Sequence, residues 1–186
     1  VAPGQTLPIT RLKDGRIEQV SARWGLVPYW SKDEKTGFKC INARAETVAT
    51  APAFRGPYST KRRCLVPADG FYEWQKHPAG KQPYYITSGD GSLLAFAGLW
   101  DVWKKPDGDW LTTFTIITTT PNELTKRLHD RMPVILEPDD YDAWLADDDP
   151  RELLKPAPVD MLQCFPVSAR VNSVKNDAPD LIAPAR

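Results

Sequence analysis

Apolar and polar residues alternate along much of this chain, and a period of two predicts a structure built mainly from β-strands. Residues 17–27 (IEQVSARWGLV) show this alternation, and residues 111–120 (LTTFTIITTT) are rich in threonine and isoleucine, which favour strands. Residues 93–103 (LLAFAGLWDVW) are long, apolar and aromatic, which is typical of a central strand. The segment KPDGDW between the last two contains an Asp-Gly step and therefore predicts a hairpin turn.

Further strands are predicted in the middle and near the end of the chain. Residues 64–76 (CLVPADGFYEWQK) form two strand pieces that bend at Pro67 and Gly70. The segment HPAGKQ then turns the chain into the strand PYYIT. The segment MLQCFPVS is the last predicted strand.

Two helices and a short buried strand complete the pattern. Residues 122–130 (NELTKRLHD) have apolar positions at helical spacing after possible caps at Thr120 or Asn122. MPVIL follows as a buried strand, and EPDDYDAWLAD is a second helix with acids in its first turn. Together these elements predict a single domain over residues 1–186 with an α+β fold. We expect a β-rich, curved, barrel-like antiparallel sheet with a few short helices.

The composition narrows the function only slightly. The 186 residues carry 24 basic and 24 acidic side chains, so global charge does not indicate a nucleic-acid-binding protein. The first third is locally basic, through KRR at residues 61–63 and arginines such as Arg11 and Arg44, whereas the acids gather at residues 137–149. This asymmetry favours an anionic ligand on the N-terminal side.

The cysteines and the hydropathy exclude several classes of protein. The three cysteines are odd in number, widely separated and without a CxxC pair, which argues against a disulfide framework and a zinc site. No apolar run approaches membrane-spanning length and no signal peptide is visible. We therefore predict a cytoplasmic protein, nucleoid-associated if bacterial, with no metal or cofactor.

Two segments place polar side chains where they could act on a ligand. Asn42, Arg44 and Glu46 alternate in CINARAET, and in an extended chain they share one face, which could recognise a phosphate or carboxylate. The alternative is a solvated strand face with an Arg–Glu pair. Glu73 lies between Tyr72 and Trp74, and a desolvated carboxyl there would have a raised pKa suited to acid–base work. The alternative is a glutamate on an outer strand face.

The two histidines differ in their surroundings. His129, in LHDRMPVIL, falls at the predicted end of a helix and could move protons near neutral pH, while Arg131 could hold a phosphate. Taken alone, this pattern favours a structural, hydrogen-bonded role for His129. His77 lies in the HPAGK turn, where we expect it to be exposed and structural.

Aromatic residues and a cysteine provide the remaining candidates. In RWGLVPYW we expect Trp24 to be in the core and Trp30, in the PYW turn, to be available for stacking on unpaired bases. Cys40 is expected to be a small buried hydrophobe rather than a nucleophile. No GxSxG, P-loop or HExxH motif is present.

These segments, in this order, resemble the SOS response-associated peptidase (SRAP) family of abasic-site processing proteins. Each motif is weak alone, but the ordered set spans essentially the whole chain and is highly specific. The matching stretches are VAPGQ (1–5), RWGLVPYW (23–30), INARAET (41–47), CLVPADGFYEW (64–74), HDRMPVIL (129–136) and VNSVKND (171–177).

The resemblance implies a specific chemistry. Family members are β-rich α+β proteins that bind single-stranded DNA and crosslink to abasic sites. The amine and thiol of an N-terminal cysteine capture the sugar aldehyde as a thiazolidine. The resemblance assigns Asn42, Glu73 and His129 to the catalytic set. It also places Arg44 at that site. For nucleic-acid binding we therefore expect this set of residues: Arg44, Arg131, Trp30, Trp74 and Thr118.

The family pattern also sets an expectation about the N-terminus. Family members begin Met-Cys-Gly-Arg some tens of residues before the VAP stretch, and residues 1–186 do not include that leader. We expect the leader to be omitted, and if it is truly absent we expect no crosslinking. The alternatives are a peptidase that acts on its own N-terminus, a non-catalytic single-stranded DNA binding module, and a β-rich domain whose Arg44 binds a small anion. We expect a monomer.

Overall fold

The computed structural model describes residues 1–78 and 80–185, whose contacts separate two compact units. The barrel unit comprises Val1–Pro67, Ala95–Thr119 and Pro133–Lys155. The hairpin unit comprises the described residues of Ala68–Leu94, Thr120–Met132 and Pro156–Arg186. Each unit is therefore assembled from three segments that are distant in the sequence.

Strands dominate the structure, as the alternating pattern predicts. In chain order they are β1 (Thr6–Lys13), β2 (Arg16–Trp24), β3 (Asn42–Arg44), β4 (Arg63–Ala68), β5 (Gly70–His77), β6 (Gly80–Ser88), β7 (Leu94–Lys104), β8 (Trp110–Thr119), β9 (Met132–Pro133), β10 (Ile135–Leu136) and β11 (Leu162–Pro166). The α-helices are α1 (Arg55–Ser59) and α2 (Tyr141–Ala146). Short 3₁₀ helices occupy Glu34–Lys39, Pro138–Asp140, Arg151–Leu153, Val159–Met161, Ala169–Asn172 and Pro179–Ile182.

The main sheet closes into a five-stranded barrel. Its strands follow the order β7-β4-β1-β2-β8, and β8 pairs back onto β7. The predicted barrel-like fold is thereby confirmed, although the sheet is mixed rather than antiparallel throughout. Strand β2 pairs with β8 in parallel, and so does β3. Parallel neighbours need a long connection, which the chain between them provides.

The core of the barrel unit is built from inward-facing residues of its strands, from residues of the segments next to them and from α2. Leu26, Leu99, Ile117 and Val134 are fully buried there. Trp144 of α2 is also fully buried, and its indole N–H donates to the backbone oxygen of Cys64 at 3.0 Å. This bond satisfies the polar atom of a large core side chain, which permits its complete burial.

The predicted hairpins are present. Lys105 and Asp109 close the turn between β7 and β8 through a 2.8 Å backbone hydrogen bond, and Gly108 supplies the positive φ of 97°. In the hairpin unit, β5, β6 and β11 form an antiparallel sheet in which β5 is an edge strand. His77 pairs with Gly80 across the β5–β6 turn; Ala79 of that predicted turn lies outside the described residues.

The helix predicted over residues 122–130 is wrong, because this segment is a series of turns. Asn122 does act as a cap, accepting a bond from the Thr125 N–H at 3.0 Å, but its amide also donates to Ala157 O at 2.9 Å. The Thr125 hydroxyl bonds to Asn122 as well. Such side-chain bonds compete with regular helix. The predicted strand MPVIL is interrupted at Val134, between β9 and β10.

The second predicted helix is confirmed as a 3₁₀ turn followed by α2. No helix in the described part of the chain is long and apolar enough to cross a membrane.

Candidate functional site

The short strand β3 presents two polar side chains on one face. Ala43 is fully buried against the core, while Asn42 and Arg44 on either side of it are exposed. The predicted alternation is therefore confirmed for these two residues. It is wrong for Glu46, because β3 ends at Arg44 and Glu46 lies in the following turns. The exposed pair offers an amide and a guanidinium to a ligand.

Thr118 lies beside this pair on β8, opposite Arg44 in the parallel register. The side chain is buried, and its hydroxyl donates to the backbone oxygen of Ala43 at 3.4 Å. Thr118 thus helps to fix the strand that carries Asn42 and Arg44. Its assignment to DNA contact stays a prediction.

Trp30 projects from the barrel unit into solvent. Trp30 is 53% exposed and the neighbouring Tyr29 is 74% exposed, as expected for the PYW turn. The turn is anchored where Ser31 O accepts a 2.7 Å bond from the indole of Trp103. Trp24, by contrast, stacks on Phe114 and donates its indole N–H to Ile41 O at 2.9 Å, so its role is structural, but it is half-buried rather than in the core.

The carboxyl of Glu73, in the hairpin unit, has a raised pKa. Burial raises the pKa of its carboxyl, as predicted from its aromatic neighbours. The positive charge of His129 and a hydrogen bond from the Trp74 backbone N–H lower this pKa by less, while Asp130 raises it. A carboxyl held in this way exchanges protons closer to neutral pH than an ordinary glutamate does.

The His129 ring is oriented by the residues that follow it. Its Nδ1 lies 3.1 Å from the Arg131 backbone N–H and 3.2 Å from Asp130 Oδ1. In the neutral ring Nδ1 accepts from Arg131 and the proton resides on Nε2. In the imidazolium Nδ1 carries a proton and donates to Asp130. The side chain is about half exposed, so a substrate can reach it.

Trp74 and Arg131 are the other predicted residues of the hairpin unit. The indole N–H of Trp74 donates to Asn172 Oδ1 at 2.7 Å, which fixes the ring on the surface. Arg131 is half-buried, and its backbone contacts the His129 ring. Glu73, Trp74, His129 and Arg131 therefore share one unit, whereas Asn42, Arg44, Thr118 and Trp30 share the other. Their catalytic and DNA-binding roles stay predictions.

None of the described cysteines is an activated thiol. Cys40 and Cys64 are buried and Cys164 is half-buried. Burial raises the pKa of each thiol. Because the thiolate is the nucleophile, this environment suppresses reactivity. The expectation that Cys40 is a small buried hydrophobe is confirmed.

The basic residues in the first third of the sequence do not all line one exposed groove. Arg63 is fully buried and donates to backbone oxygens of Trp144 and Asp147, at 3.0 and 2.7 Å. Arg11 is also buried and pairs with Glu18 at 2.7 Å. These guanidiniums hold the barrel unit together, and sequence alone could not distinguish them from exposed arginines.

Sequence reasoning also missed residues beside Trp74. Lys81 and Asn172 line a surface recess of about 290 Å³ together with Trp74. The motif VNSVKND contains Asn172, but only the fold brings it to Trp74, 98 positions away in the chain.

Comparison with known proteins gives a consistent result. The family model "SOS response associated peptidase (SRAP)" matches residues 1–174. The chain is 48% identical over 189 residues to "Abasic site processing protein YoqW" of Bacillus subtilis (strain 168), covering 98% of this chain and 84% of that protein. It is 39% identical over 188 residues to "Abasic site processing protein HMCES" of Gallus gallus, covering 87% of this chain and 56% of that protein. A crystal structure of a Bacteroides thetaiotaomicron protein superposes with a TM-score of 0.87 at 31% identity, covering 98% of this chain and 82% of that one.

Proposed function

Because the chain belongs to the SOS response associated peptidase (SRAP) family, we propose that it processes abasic sites in DNA. In this proposal it binds single-stranded DNA and forms a covalent thiazolidine with the abasic sugar. The observation that carries the proposal is the Glu73 carboxyl, whose pKa burial raises and whose neighbour is His129. The names of the relatives support abasic DNA as the substrate. The resemblance to the family suggests thiazolidine formation as the reaction.

Glu73 acts first, on the closed sugar. An abasic deoxyribose is mostly a hemiacetal, so its aldehyde must be released before it can be captured. The carboxylate of Glu73 removes the proton from the anomeric hydroxyl while the C1′–O4′ bond breaks and O4′ gains a proton. The products are an aldehyde at C1′ and a hydroxyl at C4′. A raised pKa suits a group that takes up a proton and then returns it.

His129 serves the condensation that follows. The amine of the N-terminal cysteine attacks C1′ and gives a carbinolamine, whose hydroxyl leaves as water when His129 supplies a proton. The thiol of the same cysteine then adds to C1′ of the imine and closes the thiazolidine ring. The overall change joins an aldehyde to an aminothiol and releases one water.

The remaining residues bind the substrate in this proposal. The Asn42 amide forms a hydrogen bond with a sugar oxygen or with the amine of the N-terminal cysteine. Arg44 and Arg131 bind the phosphates on either side of the abasic site. Trp30 and Trp74 stack on neighbouring bases, and Thr118 supports the DNA contact. The resemblance places the nucleophilic cysteine in a Met-Cys-Gly-Arg leader, outside residues 1–186. A monomeric state and a cytoplasmic location are part of the proposal.

A denaturing gel tests this function. Residues 1–186, alone and extended with the Met-Cys-Gly-Arg leader of a family member, are incubated with single-stranded DNA that carries one abasic site. We expect a shift that survives denaturation only with the leader. No shift with the leader would contradict crosslinking, and retardation on native gels alone would favour a binding module.

The family's name favours a second candidate, a peptidase that removes its own initiator methionine. Mass spectrometry of the leader-bearing protein and of its Glu73→Gln variant, both made without methionine aminopeptidase, separates the two activities. Loss of methionine that depends on Glu73 would support the peptidase.

A further inference from the structure

Strand β5 carries a second group of polar residues on the face opposite Glu73. Successive side chains of a strand point to opposite faces, so Trp74 and Lys76 lie away from the Glu73 side. Lys81 of β6 stands directly across from Lys76. Together with Asn172, these residues form what we call the lysine–tryptophan surface: Trp74, Lys76, Lys81 and Asn172.

Asn172 is held in one orientation at this surface. Its Oδ1 accepts the 2.7 Å bond from the Trp74 indole, so its Nδ2 is left to donate elsewhere. The side chain is exposed, and it lines the recess of about 290 Å³ with Trp74 and Lys81. A fixed aromatic ring, an amide donor and an ammonium group therefore converge on one open space.

The two lysines form an unfavourable pair in the free protein. Like charges placed directly opposite each other in a sheet repel and destabilise the pairing. Both side chains are exposed, and in residues 1–78 and 80–185 no acidic side chain forms a salt bridge with either of them. An anionic ligand would remove this repulsion, so the charges are complementary to a polyanion.

We propose that the lysine–tryptophan surface binds the phosphates and one base of the single strand that flanks the abasic site. Lys76 and Lys81 bind phosphate oxygens, Trp74 stacks on the base, and Asn172 donates to a phosphate or base acceptor. This inference rests on the proposed function and adds Lys76, Lys81 and Asn172 to its binding residues. Every residue of β5 is at least partly exposed, so a DNA strand can approach both of its faces.

The salt dependence of DNA binding tests this surface. Fluorescence anisotropy measures the affinity for an undamaged single-stranded oligonucleotide at several salt concentrations. The Lys76→Gln/Lys81→Gln variant should reduce the slope of log K against log salt by about 1.4, and weaken binding roughly tenfold or more at 0.1 M salt. The control Lys13→Gln/Lys155→Gln removes two exposed charges from the barrel unit and should leave the slope unchanged.

Asn172 gives an independent readout. The Asn172→Asp variant keeps an oxygen acceptor for the Trp74 indole but removes the Nδ2 donor and adds a negative charge. We expect it to weaken binding by more than Asn172→Ala does, since it also repels phosphate. Equal effects of the two variants would contradict a phosphate at this position.

The outcomes separate this inference from the proposed function. A slope that stays the same in the Lys76→Gln/Lys81→Gln variant overturns the surface, even if the wild-type protein with the leader crosslinks abasic DNA. A reduced slope supports the surface, whether or not an adduct forms. A wild-type protein that binds no single-stranded DNA contradicts both.

Discussion

The positive charge of His129 lowers the pKa of the Glu73 carboxyl, but burial raises that pKa by more, so the carboxyl titrates above its ordinary value. The two residues lie 56 positions apart in the chain, in β5 and in the turns before β9. A half-buried carboxyl beside an accessible imidazole forms a pair that can pass protons in both directions.

Glu73→Gln should slow crosslinking of abasic single-stranded DNA by the leader-bearing protein by about 100-fold or more, because a glutamine cannot take up the sugar proton. Affinity for undamaged DNA should not change. Single-turnover rates on denaturing gels measure the effect. The control Glu123→Gln removes an exposed carboxyl of the same unit, and an equal loss in both variants would contradict the assignment.

The same substitution should stabilise the fold near neutral pH. Burial raises the pKa of Glu73 in the folded state above its unfolded value, so the folded state binds more protons. Protonated Glu73 therefore contributes favourably to folding stability. This contribution is complete below the pKa of glutamate in the unfolded chain, about 4.3, and is lost as the pH rises through the pKa of Glu73 in the folded state. Glu73→Gln should therefore be more stable than wild type at pH 7.5 and no more stable at pH 4. Urea unfolding at both values checks the sign.

His129→Ala should slow crosslinking by about 10- to 100-fold, since loss of water from the carbinolamine then lacks its proton donor. The exposed ring contributes little to packing, so the unfolding midpoint should barely change. The chain offers a matched control, because His77 is its only other histidine and is exposed at the end of β5. If His77→Ala and His129→Ala react at the same rate, the proposed role is wrong.

Arg44→Ala should weaken binding to single-stranded DNA and lower the salt slope by about 0.7, the value for one lost phosphate contact. Arg44→Lys keeps the positive charge but loses the bidentate hydrogen bonding of a guanidinium. Its affinity for DNA should therefore lie between those of the wild type and Arg44→Ala. Arg16→Ala removes another exposed arginine of the same unit as a control. Anisotropy titrations measure all three, and an unchanged slope for Arg44→Ala would exclude the phosphate contact.

Arg63→Met should destabilise the protein by about 3 kcal/mol or more, because backbone oxygens of Trp144 and Asp147 lose a buried charged donor. Chemical denaturation measures the loss of unfolding free energy. Any remaining folded protein should bind DNA as wild type does, since Arg63 is fully buried. A selective loss of DNA affinity at unchanged stability would revive the interpretation of KRR as a binding patch.

The strands could be predicted because alternation is a local property of the sequence. The same alternation places Asn42 and Arg44 on one face of β3, and the aromatic neighbours of Glu73 predict its raised pKa. The parallel pairing of β2 with β8 could not be predicted, because it depends on contacts between distant segments. The helix predicted at residues 122–130 failed for a related reason, since Asn122 bonds to Ala157 far along the chain.

For the charged residues, too, some features could be predicted from the sequence and others could not. Arg44 and Arg63 both belong to the basic first third of the sequence, yet one is exposed and the other is fully buried. The opposition of Lys76 and Lys81 follows from the register of the β5–β6 hairpin, in which a shift of one residue would move each side chain to the other face.

Mass spectrometry of the leader-bearing protein, digested after incubation with abasic single-stranded DNA, tests the central claim most directly. The proposed reaction predicts a sugar adduct on the N-terminal cysteine, with the loss of one water and without the need for a reducing agent. An adduct on a lysine such as Lys81 that appears only after borohydride reduction, or no adduct at all, would contradict it.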